Sequence, residues 1–436
     1  MYRLVILFAL MMSAGANLLT AQVFFDQTNE GKLARMIPHL FGPNGIVLPN
    51  PFHSAHFESD FIQQSFTPVN TALGSQIANL PFASPGSGFI YNFNSAAGVY
   101  QRSSDSFGPV LTERAETIGR NKLFIGFSYQ YFSFDNVDGV NLHKFPGVLQ
   151  HERETGALYE QDSITTLADI DLKISQYTAV ATYGITDRLD VSAAIPLVTA
   201  HFGLVSSATI QRVAPPDPRF GQAHYFDPNA PNTSTQAIYA MNNSATGIGD
   251  VTFRVKWAAV RWERSALSLV GDVRTPTGDA LNFLGSGGLG IHPFLAYSYS
   301  SGRFSPHVNV GYQWNGKSVL AGDVLTGAKG NLPDAMTYAT GFDIAGTRRI
   351  TLAADFLGQH LFNATRVVPE TFTDALGRNF PETRLEKDSL DVLSGAIGAK
   401  VNLTHTLLLT GNVIFRLNNE GLTAPVVPLI GLSYAF

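Results

Sequence analysis

The stretch Phe304–Asn315 alternates without a break: Phe304, Pro306, Val308, Val310, Tyr312 and Trp314 share one face, and Ser305, His307, Asn309, Gly311, Gln313 and Asn315 the other. A side-chain period of two makes it a β-strand standing between two different solvents. In a soluble sandwich the apolar face meets a second sheet; in a membrane barrel it meets lipid while the polar face lines a wet interior. The rest of the chain decides between these. Similar strands recur to the last residue, over Leu123–Phe134, Ala168–Gly184, Leu189–Leu197, Gly247–Trp257, Leu267–Val273, Leu289–Tyr299, Tyr338–Ile344, Ile350–Leu361, Leu393–Leu403, Leu407–Leu417 and Pro428–Phe436.

Their connections alternate in length. Ile185–Arg188, Trp262–Arg264, Ser300–Arg303, Gly346–Arg349 and Thr404–His405 are tight turns, whereas the intervening loops are long and carry breakers such as Pro215-Pro216-Asp217-Pro218. Short turns on one side and long loops on the other are the asymmetry of an outer-membrane barrel. The expected fold is therefore all-β, a transmembrane up-and-down antiparallel barrel of about twelve strands (12–14), with both ends of the barrel on the periplasmic side. Trp257, Trp262, Tyr297, Tyr299, Trp314 and Tyr434 fall near strand ends, where interfacial girdles sit.

Composition agrees. Only 14% of residues are charged and 40 are glycine, a mix suited to closely paired strands facing hydrocarbon. The net charge of −5 gives no basic footprint, so no nucleic-acid partner is expected. The absence of cysteine removes disulfides, thiolate nucleophiles and Cys-based metal sites.

Residues 1–21 read as a signal peptide: Arg3, an apolar run from Leu4 to Met12, then small residues with cleavage after Ala21 or Ala16. That apolar run is shorter than the ~20 residues a helix needs to span a bilayer. Residues 22–120 are richer in Asn, Ser, Pro and Phe and lack sustained alternation. Short helices are expected over Gly31–Leu40 and Phe61–Leu80, and brief strands over Gly88–Tyr91 and Gly98–Arg102. This region is either a periplasmic linker or a plug folded into the barrel mouth, with 121–436 forming the barrel.

If the apolar face is outward, the inward face collects Asp171, Lys173, Asp250, Arg254, Lys256, Asp272, Arg274, His292, His307, Asn309, Gln313, Asp343, Asp355, Lys400, Asn412 and Arg416. Arg or Lys facing lipid at mid-height costs about 2–4 kcal/mol, so these are expected to line a polar lumen, solvated or plugged, and many to knit the wall as ion pairs. No catalytic residue, metal or cofactor is expected. Gly285–Gly290 fits a dinucleotide fingerprint only formally, because it opens a strand where the phosphate site needs a helix. His307-Val308-Asn309 lacks the serine of an outer-membrane lipid hydrolase and points inward. Asp135–Gly139 misses the calcium-loop spacing and reads as a solvated turn.

Ile430, Leu432, Tyr434 and Phe436 share one face, and this ending resembles the carboxy-terminal signature read by the barrel-insertion machinery of bacterial outer membranes. Tyr183–Asp190 at a short turn, Thr246–Asp250 opening a strand, Arg274–Asp279 closing one, and Tyr434–Phe436 resemble the phenol-degradation meta-pathway outer-membrane transporters, related more distantly to fatty-acid and aromatic-hydrocarbon channels. The resemblance covers about residues 166–436 and implies passive uptake of small hydrophobic or aromatic solutes across the outer membrane. The expected partners are outer-membrane lipid, the insertion machinery and a small solute, with the protein a monomer. The alternatives are a non-conducting barrel displaying its long loops for adhesion or assembly, and a barrel lipid hydrolase.

Overall fold

A computed structural model describes residues 22–28, 30–51, 53, 54, 57, 91–94, 99–102, 106–151, 158–216, 221–404 and 406–436. Residues 1–21, with the expected signal peptide, and the expected helix over Phe61–Leu80 lie outside them. Of the helix expected over Gly31–Leu40, one turn forms, α1 (Leu33–Met36). A small hairpin pairs Tyr91–Asn94 with Val99–Arg102.

The named strands run β1 (Gln22–Asp26), β2 (Leu123–Phe134), β3 (Ser163–Thr186), β4 (Leu189–Gln211), β5 (Gln236–Ile248), β6 (Thr252–Arg261), β7 (Ser265–Arg274), β8 (Gly290–Tyr299), β9 (Phe304–Asn315), β10 (Ala335–Ala345), β11 (Ile350–Thr373), β12 (Asn379–Thr404), β13 (Leu407–Arg416) and β14 (Val426–Ala435). Pairing proceeds antiparallel from β2 through β3, β4, β6 and each successive strand to β14, which returns to β2 with Leu429 opposite Gln130 and Ala435 opposite Phe124. The result is a closed barrel of twelve strands, and closure removes the unpaired edges that an open sheet would expose. The seam is completed by the Phe436 amide, which donates to the Leu123 carbonyl at 2.8 Å. β5 extends the line of β6 past Gly249-Asp250-Val251; it pairs with the upper half of β4 and, in parallel, with β1.

The alternation seen in the sequence sets the outer surface. Phe253, Val255 and Trp257 of β6, Leu269 and Val273 of β7, Ile291, Leu295 and Tyr297 of β8, and Val308 and Val310 of β9 are all exposed. Arg254, Lys256, Asp272, His307 and Asn309 on the opposite faces are buried. A continuous apolar belt rimmed by Trp262, Trp314 and Tyr434 is a surface only lipid satisfies. Among the described residues no helix is long and apolar enough to cross a membrane.

Above this belt the polarity reverses. In the upper part of β3, Ile170, Leu172 and Ile174 are at most 1% exposed, whereas Asp169, Asp171 and Lys173 stand on the outer face. Asp171 and Lys173 are therefore not lumen residues, contrary to the sequence expectation; they pair with each other at 2.6 Å on the outside. The physical reason is that β3 and β4 outrun the bilayer. Beyond it the outside is water and the inside is an apolar core, in which Ile170, Leu172, Phe202 and Tyr239 join Leu33, Met36, Ile37, Leu40 and Phe41. That core sits at the long-loop end of the barrel. Asp135–Gly139 is also more than a solvated turn: the Asp138 carboxylate, on a side chain 1% exposed, accepts the amides of Val367 (2.9 Å) and Gly421 (2.8 Å). Burial pushes the Asp138 carboxyl above its ordinary value, with these two amides opposing the shift.

Candidate functional site

The interior is occupied by the chain itself. Residues 106–122, just before β2, follow the inner wall near the short-turn end, held almost wholly by side chains that the alternation turns inward. Lys400 of β12 donates to the carbonyls of Phe107 (3.3 Å) and Pro109. Asp355 of β11 accepts from the Leu111 amide at 3.3 Å and the Thr112 hydroxyl at 2.7 Å. Asn309 of β9 clasps Glu113 twice, accepting from its amide at 2.7 Å and donating to its carbonyl at 2.8 Å. The Ala115 amide donates to Ser298 Oγ at 2.9 Å, and the Ile118 amide to Asp190 at 3.0 Å. A backbone inside a barrel needs partners for its polar groups, and these residues provide them.

Charge concentrates where Glu113 meets the wall. Arg254 forks onto Asp272 with Nε and Nη2 each 2.7 Å from a carboxylate oxygen, and its Nη1 donates to Glu113. Lys256 Nζ reaches the other Glu113 oxygen at 2.8 Å and lies 3.9 Å from Asp190. Charges this buried persist only when paired. A second group surrounds His307, which lies 3.1 Å from Asp355 and 3.6 Å from Asp343, with Arg114 3.8 Å from Asp343.

Between the 106–122 segment and the external core lies a cavity of about 270 Å³. Arg254, Asp272, Arg274, His292, Gln313 and Asn309 line one part of it, and Phe283, Leu284, Phe294, Pro196, Val198 and Leu357 supply its apolar surface. His292 hydrogen-bonds Thr337 Oγ1 at 2.7 Å and stacks on Phe294. Asp250, at the junction of β5 and β6, accepts the amides of Gly278 (3.0 Å) and Ser286 (2.7 Å), which folds the 275–289 loop over the cavity. This is what Gly285–Gly290 does: it packs against Asp250 and leads into β8, with no helix behind it.

Of the sixteen residues expected to line the interior, Asp250, Arg254, Asp272, Arg274, His292, Asn309 and Gln313 meet at the cavity. Lys256, His307, Asp343, Asp355 and Lys400 lie on the inner wall around residues 106–116. Asn412 is buried opposite Gly398 and does not line the cavity. Arg416 pairs with Asp135 at 2.5 Å beneath the external loops, and Asp171 and Lys173 face outward. Sequence reasoning missed Glu113 and Arg114, whose neighbours show no periodicity, and left Asp190 off the site although its inward parity was legible.

At Gly184 this segment lies against the wall with no room for a side chain. A Cβ there would lie 1.8 Å from the Gly119 carbonyl oxygen. Gly184→Ala is expected to push residues 119–122 off the wall and lower stability by about 1–3 kcal/mol, the usual cost of overpacking, seen as a fall in the urea midpoint of the detergent-solubilised protein.

A closed barrel with a lipid-facing belt and a polar interior has the architecture of an outer-membrane β-barrel. Its residues 163–368 match the family model described as "Putative MetA-pathway of phenol degradation". Tyr183–Asp190, Thr246–Asp250 and Arg274–Asp279 fall within that span, so the resemblance read from them holds there. Among solved structures, the chain is similar to an outer membrane channel from Pseudomonas putida F1, at 13% identity over 74% of this chain and 99% of that one, TM-score 0.45. It is also similar to a Pseudomonas aeruginosa FadL homologue, at 10% identity over 72% and 89%, TM-score 0.30. No curated protein matches the sequence.

Proposed function

We propose that the protein is a passive channel for small hydrophobic or aromatic molecules, entered only when residues that fill the barrel move aside. The observation that supports this most is the mid-barrel cavity. At about 270 Å³ it exceeds the ~150 Å³ that suffices to hold benzene, and its lining is divided between aromatic or aliphatic and polar groups. A substituted ring would seat against Phe283, Phe294 and Leu357 with its polar substituent toward His292 and the Arg254–Asp272 pair. The matched family's description, phenol degradation, names solutes of this kind. Phenol flux into proteoliposomes, after subtraction of the leak into protein-free liposomes, is expected to exceed that of a sugar of similar mass treated in the same way; equal protein-dependent flux for the two, or none for either, overturns the reading.

The filled interior also favours a second reading, a non-conducting barrel that displays β11 and β12, which extend well beyond the roughly ten residues a membrane strand requires. Absence of flux for every solute tested supports it. We read the protein as non-enzymatic: His307 is 2% exposed and faces Asp343 and Asp355 inside, whereas lipid hydrolysis needs nucleophile and base at the lipid-facing wall. A monomer inserted through its terminal aromatic strand completes the proposal.

A further inference from the structure

Three histidines from distant parts of the chain meet at the long-loop end of the barrel, apart from the cavity. His53 belongs to the amino-terminal region, His151 follows the short strand Phe145–Gln150, and His224 lies in the loop between β4 and β5. One ring nitrogen of each lies within 4.8 Å of the others. His224 is fully buried and His151 is 6% exposed, with ring centroids 4.9 Å apart; the His53 ring is 5.4 Å from His224. The three lie 98 and 73 residues apart along the chain, so no local ligand motif marks them and the sequence carried no expectation of a metal.

One further contact separates this cluster from a packed group of aromatic rings. Asp162, itself 4% exposed, receives His224 Nδ1 at 2.7 Å through one oxygen and the Val213 amide at 2.6 Å through the other. A carboxylate accepts and does not donate, so the His224 proton sits on Nδ1 and Nε2 is left as the ligating atom. That Nε2 is buried and has no hydrogen-bond partner among the described residues. A carboxylate behind an imidazole whose far nitrogen faces other imidazoles is the outer-shell arrangement of a metal-binding histidine.

We propose that His53, His151 and His224 bind a Zn²⁺-class divalent transition ion, with Asp162 as the residue that orients His224. Three imidazoles and an open fourth position suit Zn²⁺, and Cu²⁺ competes by the general affinity order; Ca²⁺ and Mg²⁺, which take oxygen ligands, are excluded. Zn–N bonds of about 2.0–2.1 Å imply ligand separations near 3.3 Å, so the cluster contracts on binding. His53, the least buried of the three, closes that distance. The ion ties the amino-terminal region to two external loops and so pins the apolar core over the outer end of the barrel. This inference does not depend on the channel reading.

The test is titration of Zn²⁺ into the full-length, EDTA-stripped protein without a histidine tag, in detergent micelles, by calorimetry. One ion per chain with a Kd in the micromolar range or tighter is the expected result. Co²⁺ substitution should give the intense visible bands of a four-coordinate site, and Asp162→Asn should weaken binding about 10–100-fold. His151→Gln with His224→Gln should abolish it in a variant that keeps its barrel circular-dichroism spectrum. No binding of Zn²⁺ or Cu²⁺ at 100-fold over micromolar, or full binding retained without His151 and His224, overturns the proposal. Should the double variant fail to fold, the Co²⁺ spectrum and the Asp162→Asn affinity decide the matter alone.

Discussion

Arg254→Met is expected to lower the unfolding free energy of the detergent-solubilised barrel by about 3–5 kcal/mol, the cost of removing one partner from a buried charge pair. The residue lies between two carboxylates, Asp272 at 8% side-chain exposure and Glu113 at 3%, and the substitution leaves Asp272 without its fork. Adding Asp272→Asn should recover a large part of the loss, because the cost lies in the stranded charge rather than in the missing bond. Arg254→Lys keeps the charge but not the two-pronged geometry, and should fall between. Urea midpoints of the four proteins check this; a change under about 1 kcal/mol for Arg254→Met would show that water reaches the pair.

Deleting residues 22–118 while leaving residues 1–21 in place is expected to raise single-channel conductance by roughly an order of magnitude or more. Barrels of about eight strands are filled by their own side chains and those of about sixteen hold an aqueous channel, so twelve leave a bore that depends on what fills it. Here residues 106–118 fill it from Lys400 on β12 round to Asp190 on β4. A deletion of 22–105, which spares those contacts, should conduct little better than the intact chain. Planar-bilayer recording of both truncations is the measurement. Equal conductance in the two would place the barrier in the external core instead; no change in either would end the gating idea.

The sequence disclosed the barrel because its information lies in a period of two, and that period held on β6, β7, β8 and β9 to the individual side chain. It misled on Asp171 and Lys173 because alternation reports that two environments differ without saying which of them is inside. Along β3 the answer changes at the membrane surface: Tyr177 looks out at lipid, while three residues earlier Ile174 looks in at the external core. The 106–122 segment was illegible for another reason. Its hold on the wall runs largely through main-chain amides and carbonyls, at Phe107, Pro109, Leu111, Glu113, Ala115 and Ile118, and every residue type carries those. The histidine cluster likewise depends on three loops meeting, which no spacing along the chain records.

The seam between β14 and β2 carries an implication for assembly. The Phe436 amide bonds the Leu123 carbonyl at the start of β2, so the ring stays open until β14 reaches β2. Residues 106–122 lie within that ring, and Leu33–Phe41 reach its far end. The β14–β2 seam thus closes a wall around a passenger that runs directly into its first strand and is bound by β4, β9, β11 and β12.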